Sequence, residues 1–502
     1  MTTEALIGAA ILTPAVGALL LGLAGRFVSA NARELVSAVT TLVTFAFVVQ
    51  IVPAVMQGAR PELVLFDVLQ GVPLAFQVEP LGMLYGLVAS GLWIVTNVYA
   101  VGYMRAHHEE NQTRFFICFA VAIFAALGIA FAKNLFTLFL FYEILTFSTY
   151  PLVTHSGADA KAAGRVYLGI LVFTSVAFLL CAIIWTYHAV GHGDFRLGGI
   201  LAGHVDDGEV WLLLAFFAFG TGKAALMPFH RWLPNAMVAP TPVSALLHAV
   251  AVVKAGVFTV TKVVVYVFGI DFLAKSGASV WLMYVAAASL LIASVIALTL
   301  DNLKARLAYS TISQLSYITL GAALATGASI LGSGMHIAMH AVGKITLFFC
   351  AGAIYVATHK KNVSELDGIG RAMPFTMAAF FLGSMSIIGM PPFGGWSKLY
   401  LAMGAAQAHQ YVFIGVYMVS SLLSIGYLMP IVARAFFRPP KVAAHGHGHG
   451  EPQGEGIREA PLLVVVPLCI TAVGTFVLFV YADALRDLLL PIVKGAFVGG
   501  AG

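Results

Sequence analysis

Two lysines, Lys223 and Lys254, sit in a stretch from Gly220 to Phe258 that is otherwise largely apolar: GTGKAALMPFHRWLPNAMVAPTPVSALLHAVAVVKAGVF. A charged side chain at membrane depth is costly, so such residues are rare there and mark ion or proton paths. Between the lysines the chain carries Pro228, Pro234, Pro240 and Pro242. A helix interrupted at membrane depth survives only where protein or a water-filled cavity satisfies the freed backbone groups. Buried ammonium groups beside a broken helix are the chemistry of a transporter. A second break, Gly389-Met390-Pro391-Pro392-Phe393-Gly394-Gly395, is followed by Lys398.

His336, His340 and Lys344 are spaced four apart in one apolar segment. On a helix that spacing puts all three on one face, about 6 Å apart along the axis. The pattern suits a proton relay in which water or rotamer changes bridge the steps. A metal site is the competing reading, but no carboxylate or thiol is placed to complete a first shell, so no metal is expected. His248 and Lys254 are six apart and point about 240° away from each other on a regular helix, so they share a face only if the helix unwinds between them. Lys262 lies near a helix end and is expected to snorkel as a structural residue. Glu143, in LFLFYEILTFSTY, is the one carboxylate expected deep within a membrane helix, and it is expected to face Lys223. Burial disfavours a charged amine while a nearby carboxylate favours it, so alternating the two influences passes a proton on. Tyr309, Ser310, Ser313, Gln314 and Ser316 are placed to hold bridging water or to pack between helices.

The elements that must position these residues are legible from composition. The chain has 502 residues, 60% hydrophobic and 10% charged, with a mean hydropathy of +0.94. Apolar runs of spanning length recur from end to end, so the expected fold is an all-α polytopic membrane protein of about fourteen helices. The first run, Ile7 to Leu23, is long for a cleaved signal and reads as helix 1. Met227-Pro228-Phe229 with Trp232 is echoed by Met390-Pro391-Pro392-Phe393 with Trp396, five helices later. An odd separation implies two inverted five-helix repeats, each with a broken helix. The expected divisions are helices 1–3 over 1–114, a first half (helices 4–8) over 115–266, a second half (helices 9–13) over 279–436, a His-rich loop over 437–459, and helix 14 within 460–502. Loops after odd-numbered helices hold 16 of the 27 Lys and Arg, against 7 on the other side. The positive-inside rule then makes the odd loops cytoplasmic and both termini external. The net charge of +5 is spread over short loops, with no patch for nucleic acid. Cys118, Cys181, Cys350 and Cys469 are too far apart in sequence for a ligand pair and read as buried inert thiols.

FHRWLPNAMVAPTPVSALLHAVAVVKAG, LFLFYEIL, LAYSTISQLSYITLG and HAVGKITLFF resemble, over nearly the full length, the antiporter-like subunits shared by Mrp-type cation/proton antiporters and respiratory complex I. The resemblance implies the Glu–Lys pair of the first half-channel at Glu143 and Lys223. It implies the connecting element at Lys254 or His248, the second-half relay at His336, His340 and Lys344, and the exit-side charge at Lys398. The chain ends without the long lateral helix of some complex I members, so the expected kind is a D-type Mrp component or a relative from membrane-bound hydrogenase or inorganic-carbon uptake complexes. The loop with His445, His447 and His449 matches no family motif and reads as solvated.

The function these readings imply is proton translocation within a multisubunit monovalent cation/proton antiporter in a bacterial cytoplasmic membrane. The expected partners are other membrane subunits, with sodium, if carried, passing through a neighbour. The alternative is a proton-conducting, energy-coupling subunit of an NADH dehydrogenase-like, hydrogenase or carbon-uptake complex. A redox enzyme is excluded: there is no Gly-rich dinucleotide loop after a strand and no cluster-ligand cysteine spacing, so no cofactor is expected. The chain counts as a translocase subunit only inside a complex I-like assembly.

Overall fold

The computed structural model describes residues 1–24, 29–155, 157–440 and 456–494. Eleven helices in it are long and apolar enough to cross a bilayer. These are α1 (Thr3–Ala24), α2 (Ala30–Met56), α3 (Pro80–Ala106), α4 (Gln112–Ala130), α5 (Leu135–Val153), α6 (Asp159–Val190), α8 (Thr241–Phe268), α9 (Val280–Thr299), α11 (Gly327–Thr358), α14 (Tyr411–Phe437) and α15 (Leu462–Val480). Three further segments are shorter or more polar: α7 (Asp207–Gly220), α10 (Leu303–Ala323), and the pair α12 (Pro374–Ile388) and α13 (Trp396–Gln407) on either side of the second break. Counted with these, the described residues hold the fourteen helical segments expected.

Several of the helices begin where a side chain satisfies a free N–H group. Asn134 Oδ1 accepts from Thr137 N at 2.8 Å, Asn302 Oδ1 accepts from Ala305 N at 3.0 Å, and Thr326 and Ser329 cap α11 reciprocally. The exterior is apolar, with Leu12 57%, Leu422 65% and Leu462 77% exposed, as a lipid-facing surface requires. The centre belongs to α8 and α11. Every residue of α8 is buried, and α11 is nearly so.

Both interruptions fall at the expected places. α7 ends at Gly220, a 3₁₀ turn spans Gly222–Ala224, and Ala225 is left-handed at φ 53°. Side chains satisfy the freed backbone: Trp232 Nε1 donates to Gly222 O (3.0 Å), and Lys223 N donates to Tyr142 Oη (3.1 Å). Gly256 of α8 packs directly on this turn, and a Cβ there would collide with the backbone of Lys223 and Ala224. Gly256→Val is therefore expected to lower stability by about 1–3 kcal/mol through overpacking. A reduced thermal midpoint of the detergent-solubilised protein would register it. In the second break α12 ends at Gly389, whose φ of 94° suits glycine.

Three expectations need correction. An antiparallel hairpin, β1 (Glu62–Leu69) and β2 (Val72–Gln77), stands between α2 and α3 where the sequence suggested only a loop. Its runs are short of helix length and are bounded by Pro61 and Gly71. Of the cysteines only Cys350 is buried; Cys118 and Cys469 are partly exposed, and Cys181 lies exposed on α6. Lys262 does not snorkel: it is fully buried and bound to Glu79. Glu79 is thus a buried carboxylate that the sequence did not single out. The loop bearing His445, His447 and His449 lies outside the described residues.

Candidate functional site

Lys223 hangs from the first break into a pocket made by α5. Its ammonium donates to Tyr142 O at 2.9 Å and to Thr146 Oγ1 at 2.5 Å, and lies 3.2 Å from the centre of the Tyr142 ring. A carbonyl, a hydroxyl and an aromatic face all suit a cation. Tyr142 and Thr146 are four apart and so share one face of α5. Glu143 is one residue on, about 100° round the helix, and cannot share that face.

The expected contact of Glu143 with Lys223 is therefore not formed: among the described residues no carboxylate oxygen lies within 4.0 Å of the Lys223 ammonium. Glu143 borders a cavity of about 590 Å³ on the flank of α4 and α5, with Cys118, Phe147 and Pro151, and its Oε1 is buried without a protein partner.

The interior of α8 is irregular at the residues that matter. Leu246–Val250 form a π turn, and Ala251 has φ −113° and ψ −68°. That is the unwinding between His248 and Lys254 that a shared face would need. Lys254 Nζ is hydrogen-bonded to His340 Nδ1 of α11, which ties the first half of the chain to the second. The contact needs a lone pair on one of the two nitrogens, so the pair cannot hold every proton it could bind. His248 packs against Phe348 at a tilt, ring centres 4.6 Å apart.

On α11 the rings of His336 and His340 lie 5.9 Å apart and nearly parallel. His336 contacts Ser397 Oγ (2.9 Å) through Nδ1 and Gln314 Oε1 (3.1 Å) through Nε2. It also stacks on Tyr317, whose ring is further packed by Tyr417 and by the Lys398 ammonium, 4.5 Å from the ring centre. Lys398 donates to Ile387 O (2.9 Å), Ile388 O (3.1 Å) and Ser421 Oγ (3.2 Å). Those two carbonyls end α12, where the helix dipole favours a cation. Lys344 leaves the His row to donate to Ser310 Oγ (2.7 Å), which donates on to Tyr427 Oη (3.0 Å).

Of the eight expected residues four form a connected interior series, three lie in the interior without a direct contact to it, and one stands on the flank. Lys254, His340, His336 and Lys398 form the series through direct contacts and Tyr317. Lys344 sits one turn along α11, and His248 opposite it on Phe348. Lys223 packs against the Gly256 turn of α8. Glu143 stands outside the series. Both ring nitrogens of His248, Nε2 of His340 and Nε2 of Gln314 are buried without a protein partner, the signature of places where ordered water belongs. The residues sequence reasoning missed are Tyr142 and Thr146, Tyr317, and Ser397. The spacing of Tyr142 and Thr146 was the one available signal.

Fourteen helical segments, two interrupted helices and a buried basic row define the class: an antiporter-like polytopic membrane subunit. Comparison with known proteins places it further. A family model described as NADH:quinone oxidoreductase/Mrp antiporter, transmembrane, matches residues 132–424. NADH-quinone oxidoreductase subunit N of Desulforudis audaxviator is 32% identical over 392 residues, 77% of this chain and 78% of that one. NAD(P)H-quinone oxidoreductase chain 5 of Synechocystis is 31% identical over 345 residues, and there this chain spans only 49% of the relative's length. Among solved structures, a chain of the Mrp complex from Dietzia aligns with a TM-score of 0.84 at 23% identity, over 99% of this chain and 98% of that one. A chain of an archaeal membrane-bound sulfane sulfur reductase aligns at 0.83 and 21% identity. The chain belongs to the NADH:quinone oxidoreductase/Mrp antiporter transmembrane family.

Proposed function

We propose that this chain is the proton-translocating subunit, of the D type, in a multisubunit monovalent cation/proton antiporter of a bacterial cytoplasmic membrane. The observation that carries the reading is the Lys254–His340 hydrogen bond, which makes one series of titratable groups out of the two halves. Protons pass from Lys223 through His248 and Lys254 to His340 and His336, and on by way of Tyr317 to Lys398, with Lys344 as a side station. Water bridges the gaps at the unpartnered nitrogens. Glu143 acts on Lys223 as a field from the flank, where a neighbouring subunit covers it. The coupled cation uses an oxygen-lined site in that neighbour. The basic loops face the cytoplasm and both termini face outward.

A second reading has its own support. The two curated relatives named above are quinone-oxidoreductase subunits, so an energy-coupling role in a complex I-like assembly uses the same series for a different task. Purifying the chain from its native membrane separates the two. Co-purifying small membrane subunits, with sodium-dependent proton flux from the reconstituted complex, support the antiporter. A co-purifying soluble NADH-oxidising module overturns it in favour of the second reading.

A further inference from the structure

One buried ion pair lies outside the series just described. Lys262, two turns beyond Lys254 on α8, is fully buried and meets Glu79 Oε1 at 3.2 Å. Its ammonium also donates to Ala132 O at 2.9 Å and lies 4.6 Å from the Phe195 ring and 5.3 Å from the Phe258 ring. Glu79 caps α3 and is held by three donors besides the lysine: Leu81 N (2.7 Å), Gly82 N (2.9 Å) and Tyr266 Oη (2.7 Å). The carboxylate therefore keeps its partners if the lysine loses a proton. Beside the pair is a cavity of about 160 Å³, bordered by Arg60, Gln77 and Leu197, the last 57% exposed, so it meets the surface on the less basic face of the bundle. That volume holds several waters.

Of the other charges around the site, Lys133, beside Ala132, is bound by Glu62, and Arg60, on the cavity border, donates to Ala59 O at 3.0 Å. The surrounding loops are knitted by backbone hydrogen bonds, Gln77 N to Phe131 O (2.7 Å), Phe195 N to Lys133 O (2.9 Å) and Arg196 N to Tyr266 O (3.2 Å), which fix the cavity wall. Inward, on the turn of α8 before Lys262, the Thr259 hydroxyl is buried without a partner.

We propose that Lys262 and Glu79 form the proton-exchange port through which the interior series communicates with the less basic side of the membrane. The inference rests on the relay proposed above. In the outward step an N–H bond of the Lys262 ammonium breaks and the proton goes to water in the cavity. The electron pair stays on Nζ, and Glu79 remains ionised throughout. The neutral amine is then reprotonated from the Lys254 side through water at Thr259.

The port and a structural clamp predict different results for Lys262→Arg in the assembled complex. Arginine keeps the ion pair but does not release its proton, and the adjoining cavity gives its longer head room. The port predicts normal assembly and proton flux in vesicles lowered at least tenfold. The neutral double variant Glu79→Gln with Lys262→Met, which leaves no buried charge unpaired, is expected to assemble and to lose flux likewise. Full flux from Lys262→Arg in a preparation where Lys254→Met has lost it overturns the port and leaves the relay standing. Full flux from both variants overturns the relay as well. Failure of both Lys262 variants to assemble identifies a clamp and overturns the port.

Discussion

Lys254→Met is expected to lower proton flux through the assembled complex about a hundredfold or more, while the complex still forms. That is the scale of loss when a positioned proton-transfer group is removed. Lys254 is the one described residue of the first half whose ammonium touches a titratable residue of the second, His340. Methionine keeps the shape and removes the proton. His340→Ala removes the other side of the same contact and should cause a loss of the same order. Because the two act as one unit, the double variant should be scarcely worse than either single one. Flux measured with a pH-sensitive dye in vesicles gives all three numbers. Multiplying losses would mean that the residues work independently.

Lys223→Met is the second large effect, again about a hundredfold or more. Lys223 is fully buried, and its three α5 contacts, with Tyr142 O, the Tyr142 ring and Thr146 Oγ1, are all to uncharged groups. Thr146→Val keeps the shape but removes one hydrogen bond to a charged group, worth about 1.5–3 kcal/mol. Felt wholly in the transfer step, that loss should slow flux by about tenfold to a hundredfold rather than abolish it. The pair of variants separates loss of the proton carrier from loss of its cradle. Equal losses would mean that the threonine hydroxyl itself carries protons.

The sequence made the architecture legible because each crossing is a local signal: an apolar run of spanning length, a proline cluster, or a glycine before a break. The hairpin at 62–77 escaped because ELVLFDVL is apolar but too short to declare itself helix, and its pairing with VPLAFQ depends on a turn at Gly71. Within the site, the four-residue spacing of His336 and His340 carried over into stacked rings because α11 is regular there. The orientation of Glu143 did not carry over. Adjacent positions on a helix diverge by about 100°, so Tyr142 and Glu143 cannot both face Lys223, and the i, i+4 partner of Glu143 is Phe147, which is 56% exposed. That geometry was readable and points Glu143 to the flank. Glu79 was not readable, since a helix-capping carboxylate 183 positions before Lys262 looks like any loop residue until the outer loops close over it.

The most direct test is proton flux through the assembled complex carrying Lys254→Arg. Arginine fills the space, keeps a positive charge opposite His340, and cannot give up its proton at any pH the membrane meets. A titrating series crossing between α8 and α11 predicts intact assembly with flux reduced to the level of Lys254→Met. Flux equal to that of the unmodified complex would mean that only the charge of Lys254 matters and that protons do not pass through it.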